Sequence, residues 1–150
     1  MSRIVLLDST PLGMVTNPRA TPENQECRAW LASLIQQGIR IYVPEIADYE
    51  IRRELIRGEK HPGIQRLNQL AATIGYLPLT TATMHRAAEL WARIRRQRLQ
   101  TADDKALDGD VILAAQALML TAPDTEVIIA TSNVGHLGRL ARAAEWRDIK

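Results

Sequence analysis

The chain has 150 residues, 46% hydrophobic and 24% charged, the proportions of one soluble domain, residues 1–150, around a single core. Nineteen Lys and Arg against 17 Asp and Glu leave a net charge of +2, too small to demand a polyanionic partner but compatible with one where arginines cluster. No apolar run approaches the roughly 18 residues that span a bilayer, and the lone Cys27 excludes a disulfide framework and a cysteine-based zinc site.

The start, MSRIVLLDST, carries one Arg and a four-residue apolar run that stops at Asp8. A signal peptide needs a longer apolar stretch and a small-residue cleavage site, so a cytoplasmic protein with no membrane attachment is expected. Residues 3–7 predict a short buried strand. Thr21-Pro22 has the pattern of an N-cap followed by a first helical residue. The helix they open runs to about Gln37, with Trp30, Leu31, Leu34 and Ile35 inward and Gly38 as its stop. IRIYV, residues 39–43, predicts a second strand. Pro44 opens a helix that Gly58 closes, with Ile46, Tyr49, Ile51 and Leu55 inward.

His61-Pro62 starts the next helix, carrying Ile64, Leu67, Leu70, Ala71 and Ile74 and stopping at Gly75. Tyr76 to Leu79 predicts a weaker strand. Thr80 or Thr81 caps a long helix with Met84, Ala87, Ala88, Trp91 and Ile94 inward, which enters the basic stretch Arg93, Arg95, Arg96, Arg98. Residues 99–109 lack periodicity and hold Asp103, Asp104 and Asp108, so a loop is expected there. A helix from about Gly109 to Leu120 follows, apolar on most faces, with Asp110 in its first turn. Pro123-Asp124 turns the chain into the strand EVIIAT. Asn133 would cap a last helix ending near Ala144, with WRDI as a short final strand. Strands alternating with helices imply a parallel sheet covered on both faces.

In such sheets ligands bind outside the carboxyl ends of the strands. The polar residues that follow the strands are Asp8, Ser9 and Thr10, then Glu45, Asp48 and Glu50, then Thr131, Ser132 and Asn133. Asp8 follows a run that should be buried, and an isolated charge beside a core is costly unless it is paired or binds a metal. Its plain alternative is a helix cap. Glu50 competes with a solvated, ion-paired helix face, and Asp110 with simple capping. Three carboxylates meeting at one point repel unless a cation joins them. All-oxygen ligands favour Mg²⁺ or Mn²⁺, and such ions polarise a phosphodiester and activate water. GxGxxG, Walker and GxSxG patterns are absent, and His61, His85 and His136 are isolated.

LLDSTPLG, PEIADYEIRREL, DGDVILAAQAL and IIATSNVGHL, in this order, resemble the PIN domain family, including the VapC-type toxins and small stand-alone bacterial PIN proteins. The resemblance covers nearly the whole chain. It implies a three-layer, Rossmann-like α/β fold with a parallel sheet of four to five strands, and a Mg²⁺- or Mn²⁺-dependent ribonuclease. Asp8, Glu50 and Asp110 match the family's catalytic and metal-binding acids, and Thr131 its supporting hydroxyl, with Ser9 beside Asp8. The family's fourth acid falls at Asn133 or close behind it near His136, and neither is acidic here. Asn133 can ligate through its amide, and Asp108 or Asp104 can substitute. RNA phosphates would run along Arg52, Arg53, Arg95, Arg96, Arg98 or Arg139. An antitoxin protein and a homodimer are the partners the resemblance implies. The missing acid also admits a catalytically weak or inactive RNA-binding module. A receiver- or phosphatase-like domain using Asp8 as nucleophile is disfavoured, because no DxD pattern surrounds it.

Overall fold

The computed structural model of the protein describes residues 2–97 and 104–150, the side chains of 104–106 excepted. Among the described residues there are five strands: β1 (Ser2–Leu7), β2 (Arg40–Pro44), β3 (Gly75–Leu77), β4 (Thr125–Thr131) and β5 (Ala143–Glu145). Between them run α1 (Ser9–Thr16), α2 (Pro22–Gln36), α3 (Glu45–Arg57), α4 (His61–Thr73), α5 (Thr81–Arg96), α6 (Asp104–Leu120) and the single turn α7 (Val134–Leu137). All strand pairs are parallel, in the order β3-β2-β1-β4-β5. The chain therefore leaves β1 towards one edge and later returns to its other side at β4. That reversal opens a crevice at the carboxyl ends of β1 and β4.

Alternation along β1 builds the layers. Val5 and Leu7 face Leu12 of α1, Cys27, Leu31 and Leu34 of α2, and Leu67 of α4. Ile4 and Leu6 face the opposite side with Val127 and Ile129 of β4 and Leu113 and Ala117 of α6. A period of two in a strand buried on both faces explains the continuous apolar run. Helix α5 packs outside α6 through Ala87, Leu90 and Ile94 against Leu107, Val111 and Ala114. A buried Gln116 ties three elements together. Its amide donates to Leu77 O at 2.9 Å, and the Ile46 N–H donates to its Oε1 at 3.5 Å. Among the described residues no helix is long and apolar enough to cross a membrane.

Several expected elements differ. Helix α1 was not legible, since Ser, Thr, Pro and Gly are poor helix formers. It forms because Asp8 caps it and because Pro11 and Leu12 are buried. The expected loop over 99–109 gives way to α6 from Asp104 onward. Leu107, Val111 and Ala114 share one helical face and pack on α5, and that burial outweighs the Asp and Gly signals. Asp110 consequently stands in the second turn, not the first, and neither it nor Asp108 is a cap. Asp103 lies outside the described residues.

Gly75 begins β3 rather than stopping α4. A Cβ there would lie 2.3 Å from Tyr42 Cδ1, so only glycine lets the ring lie against the strand. The strand ends at Leu77, because the Leu79 N–H is taken by Glu45 Oε1 at 2.6 Å. Pro44 closes β2 and occupies the N-cap position of α3. The last expected helix shrinks to Val134–Leu137, after which β5 pairs with β4 and WRD forms a 3-10 turn, not a strand. Ile35, Tyr49, Met84 and Trp91, expected to face inward, are exposed.

Candidate metal centre

The β1–β4 register sets Leu7 beside Ala130, so Asp8 and Thr131 emerge together at the crevice. The Asp8 N–H continues the ladder by donating to Ala130 O at 3.0 Å. Both carboxylate oxygens are then fixed. The Ser9 N–H donates to Oδ1 at 2.7 Å, and the Thr131 hydroxyl donates to Oδ2 at 2.7 Å. Thr131 is fully buried, and its hydroxyl oxygen accepts from the Asn133 N–H at 2.8 Å. This relay leaves the Thr131 proton with one direction, toward Asp8.

Glu50 and Asp110 come within electrostatic range of Asp8 from two helices. Asp110 is half-buried, and its Oδ2 is shut from solvent with no hydrogen-bond partner. Burial first, and the charge of Asp8 second, push its carboxyl up to about 6. Burial likewise raises Glu50, with Asp8 and Asp110 adding repulsion and Arg53 opposing it. The Glu50 carboxylate lies against the backbone of α6, where a Cβ on Gly109 would stand 2.7 Å from Glu50 Oε2. Gly109 therefore makes room for the acid. A glycine inside an apolar helix between two aspartates was the available signal for this.

Other acids of the same region are already committed. Asp48, buried, accepts from Tyr76 Oη at 2.7 Å and from Arg52 Nε at 3.0 Å. Glu45 holds Leu79. Asp108 is exposed and borders the α5–α6 groove with Met84 and Trp91. The Asp104 side chain lies outside the described residues. Asn133 is exposed, and its amide pairs with His136 Nδ1 at 3.4 Å. The contribution of Asn133 to the pocket is its backbone N–H.

Of the arginines, Arg53 stands beside Glu50, whereas Arg52 is held by Asp48. Arg96 is exposed and borders a cleft on α5 with Arg86, Glu89 and Arg93. Arg139 is exposed after α7. Among the described residues neither forms a hydrogen bond or ion pair with the three acids, and Arg98 lies outside them.

The donor set fits a hard divalent cation: carboxylate oxygens only, mutually repelling, one of them buried without a partner. Among the described residues, however, no three His, Cys, Asp or Glu side chains are placed so that together they could hold a metal ion. The acids are near enough to raise one another's affinity for protons, yet not drawn onto one point.

No protein-family model matches the chain, and no curated protein matches it in sequence. Its structure is similar to chains of three solved VapBC complexes. One is VapBC2 from Rickettsia felis bound to a DNA fragment from the promoter, with TM-score 0.71, 14% identity, and 95% of this chain and 98% of that one covered. Another is VapBC-1 from nontypeable Haemophilus influenzae, with TM-score 0.65, 17% identity and coverage of 97% and 99%. The third is DNA-bound VapBC from Salmonella typhimurium, with TM-score 0.66, 14% identity and coverage of 97% and 99%. At these identities the likeness establishes the fold. The chain has the three-layer α/β architecture of the PIN type, with a five-stranded parallel sheet.

Proposed function

We propose that the protein is a Mg²⁺- or Mn²⁺-dependent endoribonuclease and the toxin half of a toxin–antitoxin pair. The observation that carries the reading is the buried, partnerless Asp110 Oδ2 facing two further carboxylates at the β1–β4 crevice. A buried acceptor without a donor is costly, and a cation held by Asp8, Glu50 and Asp110 relieves it. When bound, the ion supplies Lewis acidity to the phosphodiester and to the attacking water. The chain supplies the frame: Thr131 and Ser9 fix Asp8, Gly109 admits Glu50, and α6 presents Asp110. Hydrolysis then adds water across one phosphorus–oxygen bond, leaving a phosphate on one fragment and a hydroxyl on the other.

The structural neighbours are VapBC complexes, two of them DNA-bound, which supports an antitoxin partner here and action in the cytoplasm. The homodimer follows from the family resemblance, and light scattering on the purified protein tests it. Asp8→Asn should abolish Mn²⁺-dependent RNA cleavage while circular dichroism shows an unchanged fold. Equal activity of wild type and Asp8→Asn in clean preparations overturns the reading.

One observation favours a second reading, a catalytically weak RNA-binding module. Asn133, where the family pattern places its fourth acid, is exposed and turned to His136. Calorimetric titration separates the two, since a degraded site binds Mn²⁺ feebly.

A further inference from the structure

Gly13, Ile51, Leu55 and Gly63 stand along one cleft of about 570 Å³ between α1, α3 and α4, and none takes part in the acid chemistry described above. Gly13 lies inside α1, where alanine would serve the helix better. What alanine would meet is the next helix. A Cβ on Gly13 would stand 3.2 Å from Ile51 Cδ1, inside the 3.4 Å at which ordinary contact begins. Gly63, buried in the first turn of α4, repeats the arrangement. A Cβ there would stand 2.9 Å from Leu55 Cδ2.

Ile51 and Leu55 are four residues apart and share a face of α3. The two glycines therefore seat this helix at two points along its length, one on each neighbouring helix. Two points of close approach fix the rotation of a helix about its own axis as well as its distance. What rides on that rotation is Glu50, the residue before Ile51, whose carboxylate feels the charge of Asp8. Asp8 in turn is the first link of α1, since its carbonyl accepts from the Leu12 N–H at 3.0 Å, directly before Gly13. Ile51 is β-branched and keeps one strongly preferred χ1 in a helix. Its Cδ1 thus marks where α3 stands more than a freely turning side chain would.

We propose that Gly13 and Gly63 are positioning residues: notches in α1 and α4 that seat Ile51 and Leu55 and thereby set the rotation of α3 that aims Glu50 toward Asp8. The inference rests on the metal-dependent reading of the acids and adds what holds one of them in place. Gly109 makes room for Glu50 at its tip, whereas Gly13 and Gly63 set the helix beneath it.

The test is a pair of double-mutant cycles read by calorimetric titration with Mn²⁺ and by RNA cleavage. Gly13→Ala and Gly63→Ala should each weaken Mn²⁺ binding, and together by roughly tenfold, since misplacement by about 1 Å costs on the order of 100-fold. The value of kcat should fall while KM for RNA stays, because neither glycine touches the substrate. The melting temperature of Gly13→Ala should equal or exceed that of wild type. Ile51→Val removes the Cδ1 that the new methyl meets. In the Ile51→Val background Gly13→Ala should therefore cost no Mn²⁺ affinity, and Leu55→Ala should relieve Gly63→Ala in the same way.

Wild type that binds Mn²⁺ and cleaves RNA, with both alanine variants matching it, overturns the seat and spares the nuclease. A loss that persists undiminished in the Ile51→Val and Leu55→Ala backgrounds also overturns it. So does a fall in melting temperature with Mn²⁺ affinity intact, which would make the glycines purely structural. If the variant carrying both alanines does not fold, the single variants, which each add one methyl, decide by the same readings. Wild type that neither binds Mn²⁺ nor cleaves RNA overturns both readings.

Discussion

Gly109→Ala separates the needs of the helix from those of the site. Glycine inside a helix costs about 1 kcal/mol relative to alanine, so α6 should gain by the change. For a chain of this size that corresponds to a melting temperature higher by about 2–4 °C. The new methyl, however, falls 2.7 Å from Glu50 Oε2, where an ordinary contact begins at 3.4 Å. The carboxylate must retreat by roughly 0.7 Å, the difference of those two distances. It is the far end of a flexible side chain, so the fold gives nothing up. Functional constellations tolerate displacements of only about 0.5 Å, and misplacement by about 1 Å costs on the order of 100-fold in rate. The variant should therefore melt at or above wild type, bind Mn²⁺ about tenfold more weakly by calorimetry, and cleave RNA far more slowly. Combining it with Glu50→Asp, one methylene shorter, should recover part of the metal affinity relative to Gly109→Ala alone. Wild-type Mn²⁺ affinity and activity in Gly109→Ala would refute the placement of Glu50, and a lowered melting temperature would refute its account of the glycine.

Asp110→Asn should stabilise the metal-free protein. Burial and the charge of Asp8 push its folded carboxyl up to about 6, well above the ordinary aspartate range, so the folded state favours the protonated form. That contribution is complete below about pH 4 and is lost as pH rises through 6, a penalty on the order of 1–3 kcal/mol at neutral pH. Melting in EDTA at pH 7.5 should thus favour Asp110→Asn, the advantage should vanish near pH 4, and Mn²⁺ should raise the melting temperature of wild type alone. Thr131→Val leaves Asp8 Oδ2 and the Asn133 N–H without their shared hydroxyl, which should cost about 1–3 kcal/mol in urea unfolding and weaken Mn²⁺ binding; unchanged stability would discount the relay. Asp48→Ala breaks the bonds to Tyr76 and Arg52 and should cost about 2–3 kcal/mol with Mn²⁺ affinity retained, whereas lost metal binding at full stability would make Asp48 a ligand.

The layered fold was legible because buried strands and helices write their periods into the sequence. RIVLL and EVIIAT are apolar without alternation, as strands covered on both faces must be. What escaped was structure maintained by tertiary contact against local preference. STPLGMVT reads as a turn, and only the burial of Leu12 and the Asp8 cap make it a helix. The stretch from Asp104 to Asp108 reads as a loop, yet Leu107 docks on α5 and extends α6 backward through it. The three acids could be chosen from their places after strands and in helices. The pairings of Glu45 and Asp48 could not, since their partners Leu79 and Tyr76 are distant in sequence. Exposure of Tyr49 was equally hidden, because helical spacing alone does not say which apolar residue meets a neighbour.

Gln116 acts as a crossbar between the two arms that carry Glu50 and Asp110. By accepting from Ile46 at the start of α3 and donating to Leu77 at the end of β3, it gauges the gap across which those arms face each other. Leucine at that position would fit the surrounding apolar space but cut both ties, and the two arms would then be free to drift apart. A change wholly inside the core, touching neither acid, would in this way loosen the jaws of the crevice.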